Sequence, residues 1–190
     1  MSDGSSYGRI AQRVRVPLGF VLGALYLVFA PRYATPATLL VGGAIAFVGV
    51  LVRAWAAGHI VKNDRLATTG PYAHTRNPLY FGSFLIAAGF AVAAHWSLLL
   101  VVVAFFALVY GPTIEKERAN ISARFPEAYE RWEQNVPAFV PRPTPWRDPS
   151  VAGADRFSPS LYMRHGEWKA ALGFILALTW LVLRMRGDLW

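Results

Sequence analysis

Residues 79–110 read LYFGSFLIAAGFAVAAHWSLLLVVVAFFALVY. A bilayer core about 30 Å thick takes about 20 apolar residues as a helix, so this run is too long for one crossing. His95, Trp96 and Ser97 interrupt it, which predicts a helical hairpin, Leu79 to Ala94 and Leu98 to Tyr110, closed by a tight turn. Working outward, Thr38 to Ala57 is close to a full span, while Val16 to Ala30 and Trp168 to Leu183 are short. For the last of these a tilted or partly interfacial helix is the alternative. The 190-residue chain is 55% hydrophobic and 16% charged, with mean hydropathy +0.34, against roughly 25% charged in soluble domains. The expected fold is all-α: a single polytopic membrane bundle over residues 1–190, with about five transmembrane helices and a cytoplasmic amphipathic helical segment.

With no cysteine, disulfides, thiolate nucleophiles and Cys-ligated metals are excluded, and four scattered histidines predict no metal site. The net charge of +8 is not gathered into a tract interleaved with aromatics, so no nucleic-acid partner is expected. It follows the membrane instead. If the N-terminus is cytoplasmic, the inside segments hold Arg9, Arg13 and Arg15, then Arg53, Lys62, Arg65 and Arg76, then nine cations from Lys116 to Lys169. Only Arg32, Arg184 and Arg186 remain outside, so sixteen of the nineteen basic residues favour this orientation. No credible small-residue cleavage site follows the first fifteen residues, and Val16 to Ala30 is expected to be a retained helix. Gly19 and Gly23, and the face of Gly42, Gly43, Ala46 and Gly49, are spaced for close helix packing. Without an internal repeat or a charge near a helix midpoint, a transporter is disfavoured.

The unusual polar residues then fall on the cytoplasmic side. Residues 66–82, LATTGPYAHTRNPLYFG, crowd two prolines, two tyrosines, Arg76, His74 and Asn77 in front of the hairpin. Asn77 suits an N-cap and Pro78 the first helical position. The free N–H groups and the positive dipole end, with Arg76 beside them, form an anion-binding arrangement; the plain alternative is a cap with Arg76 reaching lipid phosphates. The fourth helix is expected to end at Tyr110, with Glu115 and Glu117 following its negative end, suited to a cation or to hydroxyl and amine donors. Alternatively Lys116 and Arg118 balance these carboxylates in water. Ile114, Ile121, Phe125, Tyr129 and Trp132 recur at helical spacing, with Pro126 able to start a second short helix, as in a segment folded over the helix ends. The proline-rich stretch VPAFVPRPTPWRDPS then reads as a strapping loop. His59, at the cytoplasmic end of the second helix, is a weaker polar candidate.

In order, GHIVK, LATTGPYAHTRNPLYFG, the hairpin, EKER, RFPEAYERW and VPAFVP resemble the isoprenylcysteine carboxyl methyltransferase family, related to membrane phospholipid methyltransferases. The similarity runs over about residues 55–141, with 142–166 left as a loop and 167–185 as a C-terminal helix. The family motif Gly-x-Tyr-x-x-x-Arg-His-Pro-x-Tyr-x-Gly is met by Gly70, Tyr72, Arg76, Pro78, Tyr80 and Gly82, with Asn77 in place of His. The family's Glu-Glu pair falls on Glu117 and Arg118, with Glu115 a substitute for the missing carboxylate, and its Phe-Gly on Phe125 and Pro126.

The resemblance implies an integral membrane methyltransferase using S-adenosylmethionine in a cytosol-facing pocket and a lipophilic substrate entering from the bilayer; the Ala-, Arg- and Leu-rich composition points to a bacterial inner membrane. Tyr72, Arg76, Asn77, Pro78, Tyr80, Glu115 and Glu117 would hold the cofactor, and Arg76 and His59 would take the catalytic roles. Two rivals remain: an NADPH-dependent membrane reductase of the steroid 5-alpha-reductase kind, and a non-enzymatic lipid-binding membrane protein.

Overall fold

A computed structural model describes residues 6–59, 66–149 and 156–187. The last three residues of GHIVK including Lys62, then Arg65, and the Arg9 side chain lie outside the described residues.

The chain begins with α1 (Ser6–Phe29), followed by a 3-10 turn at Ala30–Tyr33. It continues through α2 (Pro36–Ala57), a second 3-10 turn at Gly70–Ala73, and α3 (Pro78–Ala94). The far half holds α4 (Leu98–Phe105), α5 (Gly111–Arg124), α6 (Pro126–Asn135), α7 (Pro159–His165) and α8 (Trp168–Arg186). Among the described residues, four helical stretches are long and apolar enough to cross a membrane, Ile10–Tyr33, Pro36–Ala57, Leu98–Arg124 and Trp168–Arg186, and Pro78–Ala94 is a shorter apolar helix. The predicted hairpin is present, with His95, Trp96 and Ser97 forming its turn: Leu98 N–H bonds the His95 carbonyl at 3.0 Å.

The tightest packing joins α2 to α3. A Cβ at Gly49 would lie 2.6 Å from the Gly82 carbonyl oxygen, and one at Gly82 would lie 2.8 Å from that of Gly49. The two backbones touch because neither residue carries a side chain. Thr35 caps α2 through the Thr38 N–H, and the Thr38 hydroxyl crosses to the Ala93 carbonyl at 2.9 Å. The small-residue face of α2 is therefore used as its spacing suggests. Gly19 and Gly23 are not: a Cβ at either would meet nothing within 4 Å. Their spacing in α1 serves no packing contact among the described residues.

The fourth span also departs from expectation. It does not end at Tyr110 but runs through a π-helical turn, Phe106–Tyr110, straight into α5. Pro112 has no N–H to give and would crowd a regular α turn. The wider turn absorbs it, with Gly111 N–H reaching five residues back to Phe106 and the Thr113 hydroxyl bonding the Val109 carbonyl at 3.1 Å. Glu115 and Glu117 thus stand inside a helix rather than beyond its negative end. Within the expected loop 142–166, Ser158 caps the short α7 by accepting from the Leu161 N–H.

Candidate active site

The polar end of the bundle is assembled around residues 66–77. Gly70 has φ +58, and a Cβ there would sit 2.5 Å from the His59 ring, so only glycine closes this turn. His59 itself is buried. Its Nδ1–H donates to the Trp55 carbonyl at 2.9 Å, and its ring lies between Trp55 and Phe157.

The strap is real and is held by main chain. Residues 137–146 run alongside 73–77: Arg76 N–H donates to the Pro137 carbonyl, Arg142 N–H to His74 and Trp146 N–H to Ala73, each at 2.9 Å. Side chains add to it. The Thr75 hydroxyl donates to the Phe139 carbonyl at 2.9 Å, and His74 Nδ1–H to the Arg142 carbonyl at 2.8 Å. Asn77 does occupy the N-cap position of α3, but its side chain makes no cap bond; its Nδ2 donates to the Ala138 carbonyl at 2.8 Å. Pro78 fills the first helical position as expected. Beneath the strap, α6 turns inward as its stripe predicts: Tyr129, Trp132 and Val136 pack on Tyr72 and Ala56, and the Trp132 indole donates to the Tyr72 carbonyl at 2.8 Å.

Three charge groupings occupy this end. In the first, Arg76 Nη1 donates to the Tyr129 hydroxyl at 2.9 Å and to the Glu133 carboxylate. Glu133 also accepts from Arg118 Nε at 2.9 Å, and Arg118 reaches Glu115 at 3.0 Å. The result is a row of alternating charge, Arg76, Glu133, Arg118, Glu115. Burial pushes the Tyr129 hydroxyl above its ordinary range, with Arg76 opposing. In the second, Tyr80 receives Arg15 Nη1 at 3.4 Å, with the Glu117 charge in the same electrostatic neighbourhood. Its ring meets that of Tyr110 edge-on at 5.5 Å, and the Arg15 guanidinium stands 5.8 Å from the Tyr110 ring centre. In the third, Arg53 grips Glu167 bidentately at 2.9 and 2.7 Å and also bonds Ser83 and the Leu79 carbonyl, tying α2, α3 and the entry to α8.

Among the described residues, two buried polar atoms have no protein partner, the Tyr72 hydroxyl and Arg76 Nε. Buried polar groups are almost always paired, so these mark where a ligand would complete the end. Burial drives the Tyr72 hydroxyl to titrate far above its ordinary range, with Glu117 and Glu167 adding and Arg53 opposing. Tyr72 therefore shares one electrostatic neighbourhood with Glu117, as does Tyr80. Arg76 belongs to the α6 network, Glu115 is drawn to Arg118, and the contacts of His59 are with Trp55, Phe157 and Gly70.

The Arg53–Glu167 pair and Glu133 were not expected as site residues. Their signal was a cation inside an apolar helix, and carboxylates at the same end of the bundle. Among the described residues no cluster of three or more His, Cys, Asp or Glu could hold a metal ion.

Apolar helices closed at one end by a strapped, charged cap define a polytopic membrane protein, with the candidate site at that end. Residues 52–126 match the family model described as phospholipid methyltransferase, so this segment is similar to those membrane methyltransferases, the group that the isoprenylcysteine carboxyl methyltransferase motifs resemble. The chain is 35% identical over 115 residues to the nickel-cobalt-cadmium resistance protein NccN of Alcaligenes xylosoxydans xylosoxydans, covering 59% of this chain and 52% of that one. It is 31% identical over 143 residues to the cobalt-zinc-cadmium resistance protein CzcN of Cupriavidus metallidurans, covering 72% and 66%. The chain thus spans between half and two thirds of the length of these curated relatives. No solved structure matches significantly.

Proposed function

We propose that this protein is an S-adenosylmethionine-dependent integral membrane methyltransferase, acting at the cytoplasmic face of a bacterial inner membrane on a carboxylate or amine of a lipophilic substrate. The observation that carries the proposal is the pair of buried, unpartnered polar atoms on Tyr72 and Arg76, both inside the family segment. The orientation rests on the excess of basic residues at that end. The relatives' names speak of metal resistance and carry no weight for the chemistry here.

The residues fit such a cofactor. Its amino-acid part offers a carboxylate and an amine and its ribose two hydroxyls; Arg76 Nε–H and the Tyr72 hydroxyl are donors waiting for acceptors, and Glu117 is an acceptor for amine or hydroxyl donors. When bound, the cofactor supplies a methyl group already activated by the positive charge on sulfur. The chain then has to align acceptor and methyl and exclude water, an effect worth up to roughly 7–11 kcal/mol. The strap over residues 73–77 and the buried α6 aromatics close the pocket from the cytosol. Arg76 is held by Tyr129 and Glu133, so its unpaired Nε is presented in a fixed direction. Asn77 and Pro78 shape the wall by anchoring the strap and starting α3, Tyr80 positions Glu117, and Glu115 acts through Arg118. His59 supports the Gly70 turn from below.

The test is the shift in melting temperature on titration with S-adenosylmethionine, S-adenosylhomocysteine and NADPH. A ligand at 100 times its Kd stabilises the native state by about 2.7 kcal/mol. Saturable shifts with the two adenosyl compounds and none with NADPH are expected. A shift with NADPH alone would instead establish a reductase, and silence from all three would leave a lipid-binding protein.

A further inference from the structure

Glu167 lies outside the matched segment 52–126 and beyond the resembling stretch 55–141, yet the fold carries it to the candidate site. Residues 156–167 return along the end of α2. The Phe157 ring takes the space at Gly58, where a Cβ would meet it at 2.2 Å, and Ser158 N–H donates to the Gly58 carbonyl at 2.9 Å. His165 Nδ1–H donates to the Ala57 carbonyl at 3.0 Å. Gly166, at φ +69, then turns the chain so that Glu167 stands at the N-cap position of α8, where a carboxylate suits the positive helix end. Its side chain makes no cap bond and goes to Arg53 instead, one turn before Ala57 on α2.

The two partners of this pair are not equally occupied. Arg53 spends Nε and Nη2 on Glu167 and Nη1 on Ser83 and the Leu79 carbonyl. Its stem passes Gly82, where a Cβ would lie 2.7 Å from Arg53 Cγ, so the motif glycine makes room for this side chain as well as for the α2 backbone. Glu167 has capacity left: a carboxylate accepts about four hydrogen bonds, and Arg53 supplies two. The pair also has a direction. Burial raises the Tyr72 hydroxyl most, then Glu117, then Glu167, and the opposing pull of Arg53 is the weakest of the four. The carboxylate side of the pair is therefore the side that Tyr72 feels. Two carboxylates from different elements, Glu117 and Glu167, thus act on a buried hydroxyl that bonds to neither. Glu117 is exposed and its charge is screened by water, whereas the Glu167 side chain is only 13% exposed.

We infer that Glu167, fixed by Arg53, is the carboxylate that favours the cationic centre of the cofactor, so that the site prefers the charged methyl donor to its neutral demethylated product. The inference rests on the function proposed above. Arg53 is a positioning residue here: with its nitrogens already engaged, it acts on the ligand only by holding the carboxylate. A preference of this sign suits turnover, because loss of the methyl removes the charge that Glu167 attracts.

Titration calorimetry of the full chain in detergent tests this with S-adenosylmethionine, S-adenosylhomocysteine and sinefungin, in which a protonated amine stands in for the sulfonium. The readout is the ratio of affinities, charged ligand over neutral, which a general loss of stability leaves alone. Glu167→Gln keeps the size and removes the charge, and should lower both ratios roughly tenfold, the scale of one unit charge acting across a partly buried site. Arg53→Gln leaves the carboxylate uncompensated and should raise both ratios, although it breaks the same ion pair. Arg53→Met with Glu167→Leu removes both charges together and should fall between the unmodified protein and Glu167→Gln. Ratios unchanged in Glu167→Gln, or shifted in the same direction by both single variants, overturn the inference. Unmodified protein that binds none of the three compounds removes the methyltransferase and this role of Glu167 with it; binding with flat ratios across the variants removes the role of Glu167 alone.

Discussion

Tyr72→Phe should make the ligand-free protein more stable and the cofactor weaker. The Tyr72 hydroxyl is buried without a partner, and an unsatisfied buried polar group costs about 1–3 kcal/mol. Phenylalanine keeps the ring packed on Ala56, Tyr129 and Trp132 and removes that cost. At about 2–4 °C per kcal/mol for a chain of this size, the melting temperature should rise by roughly 2–12 °C. Had the hydroxyl a protein partner, its deletion would lose about 0.5–1.5 kcal/mol and the shift would be downward, so the sign alone decides. The same substitution removes one hydrogen bond to the bound cofactor, which should raise its Kd roughly 2- to 13-fold on that same ~0.5–1.5 kcal/mol. Differential scanning fluorimetry without ligand, then with S-adenosylmethionine, reads both. A melting temperature that falls, or a cofactor Kd that stays the same, refutes the assignment of this hydroxyl to the ligand.

Glu167→Ala strands Arg53, whose side chain is 23% exposed, and should cost about 3 kcal/mol, the low end for breaking a buried pair; Arg53→Met with Glu167→Leu should recover most of it, and equal losses in single and double variants would show that the pair is not the cause. Arg76→Ala and Glu117→Ala should each lower adenosyl-compound affinity in folded protein, measured by the same titration, and unchanged affinity in both removes them from the pocket. Asn77→His keeps a donor for the Ala138 carbonyl and should be tolerated, whereas Asn77→Asp sets a carboxylate against it and should hasten limited proteolysis within 137–149; equal cleavage in both would mean that the strap does not depend on this bond.

Much of this architecture was legible because punctuation in the sequence is local. His95, Trp96 and Ser97 mark the hairpin turn, Pro78 and Pro126 start helices, and the prolines after Val136 announce the strap. Local rules also misled where a neighbour could repair a break. Gly111-Pro112 reads as a helix end, but one π turn carries the chain through it. Gly19 and Gly23 read as a packing face, yet a cavity lies beside them. The long-range pairs were hidden altogether. Arg53 meets Glu167 across 114 residues and Arg76 meets Glu133 across 57, and periodicity cannot report such distances. By sequence Arg76 suits an anion site on helix N–H groups; in the fold its charge is already engaged, and only Nε is left over.

The departure at Arg118 shows how such a pairing reshapes the motif. Where the resembling family has a second carboxylate, this chain has a cation, and the cation stands between Glu133 and Glu115. A glutamate at 118 would face both carboxylates and loosen the hold of Glu133 on Arg76, so the positions at 118 and 133 form a matched set. Arg118→Glu should therefore lower both melting temperature and cofactor affinity more than Arg118→Gln does. The stability loss should be modest, since Arg118 is 42% exposed and screened pairs at the surface contribute little. Salt separates charge from packing: at 1 M, where the Debye length is about 3 Å, the gap between the Glu and Gln variants should close. A gap that persists at high salt would assign Arg118 to packing under the strap and break the link from Glu115 through to Arg76.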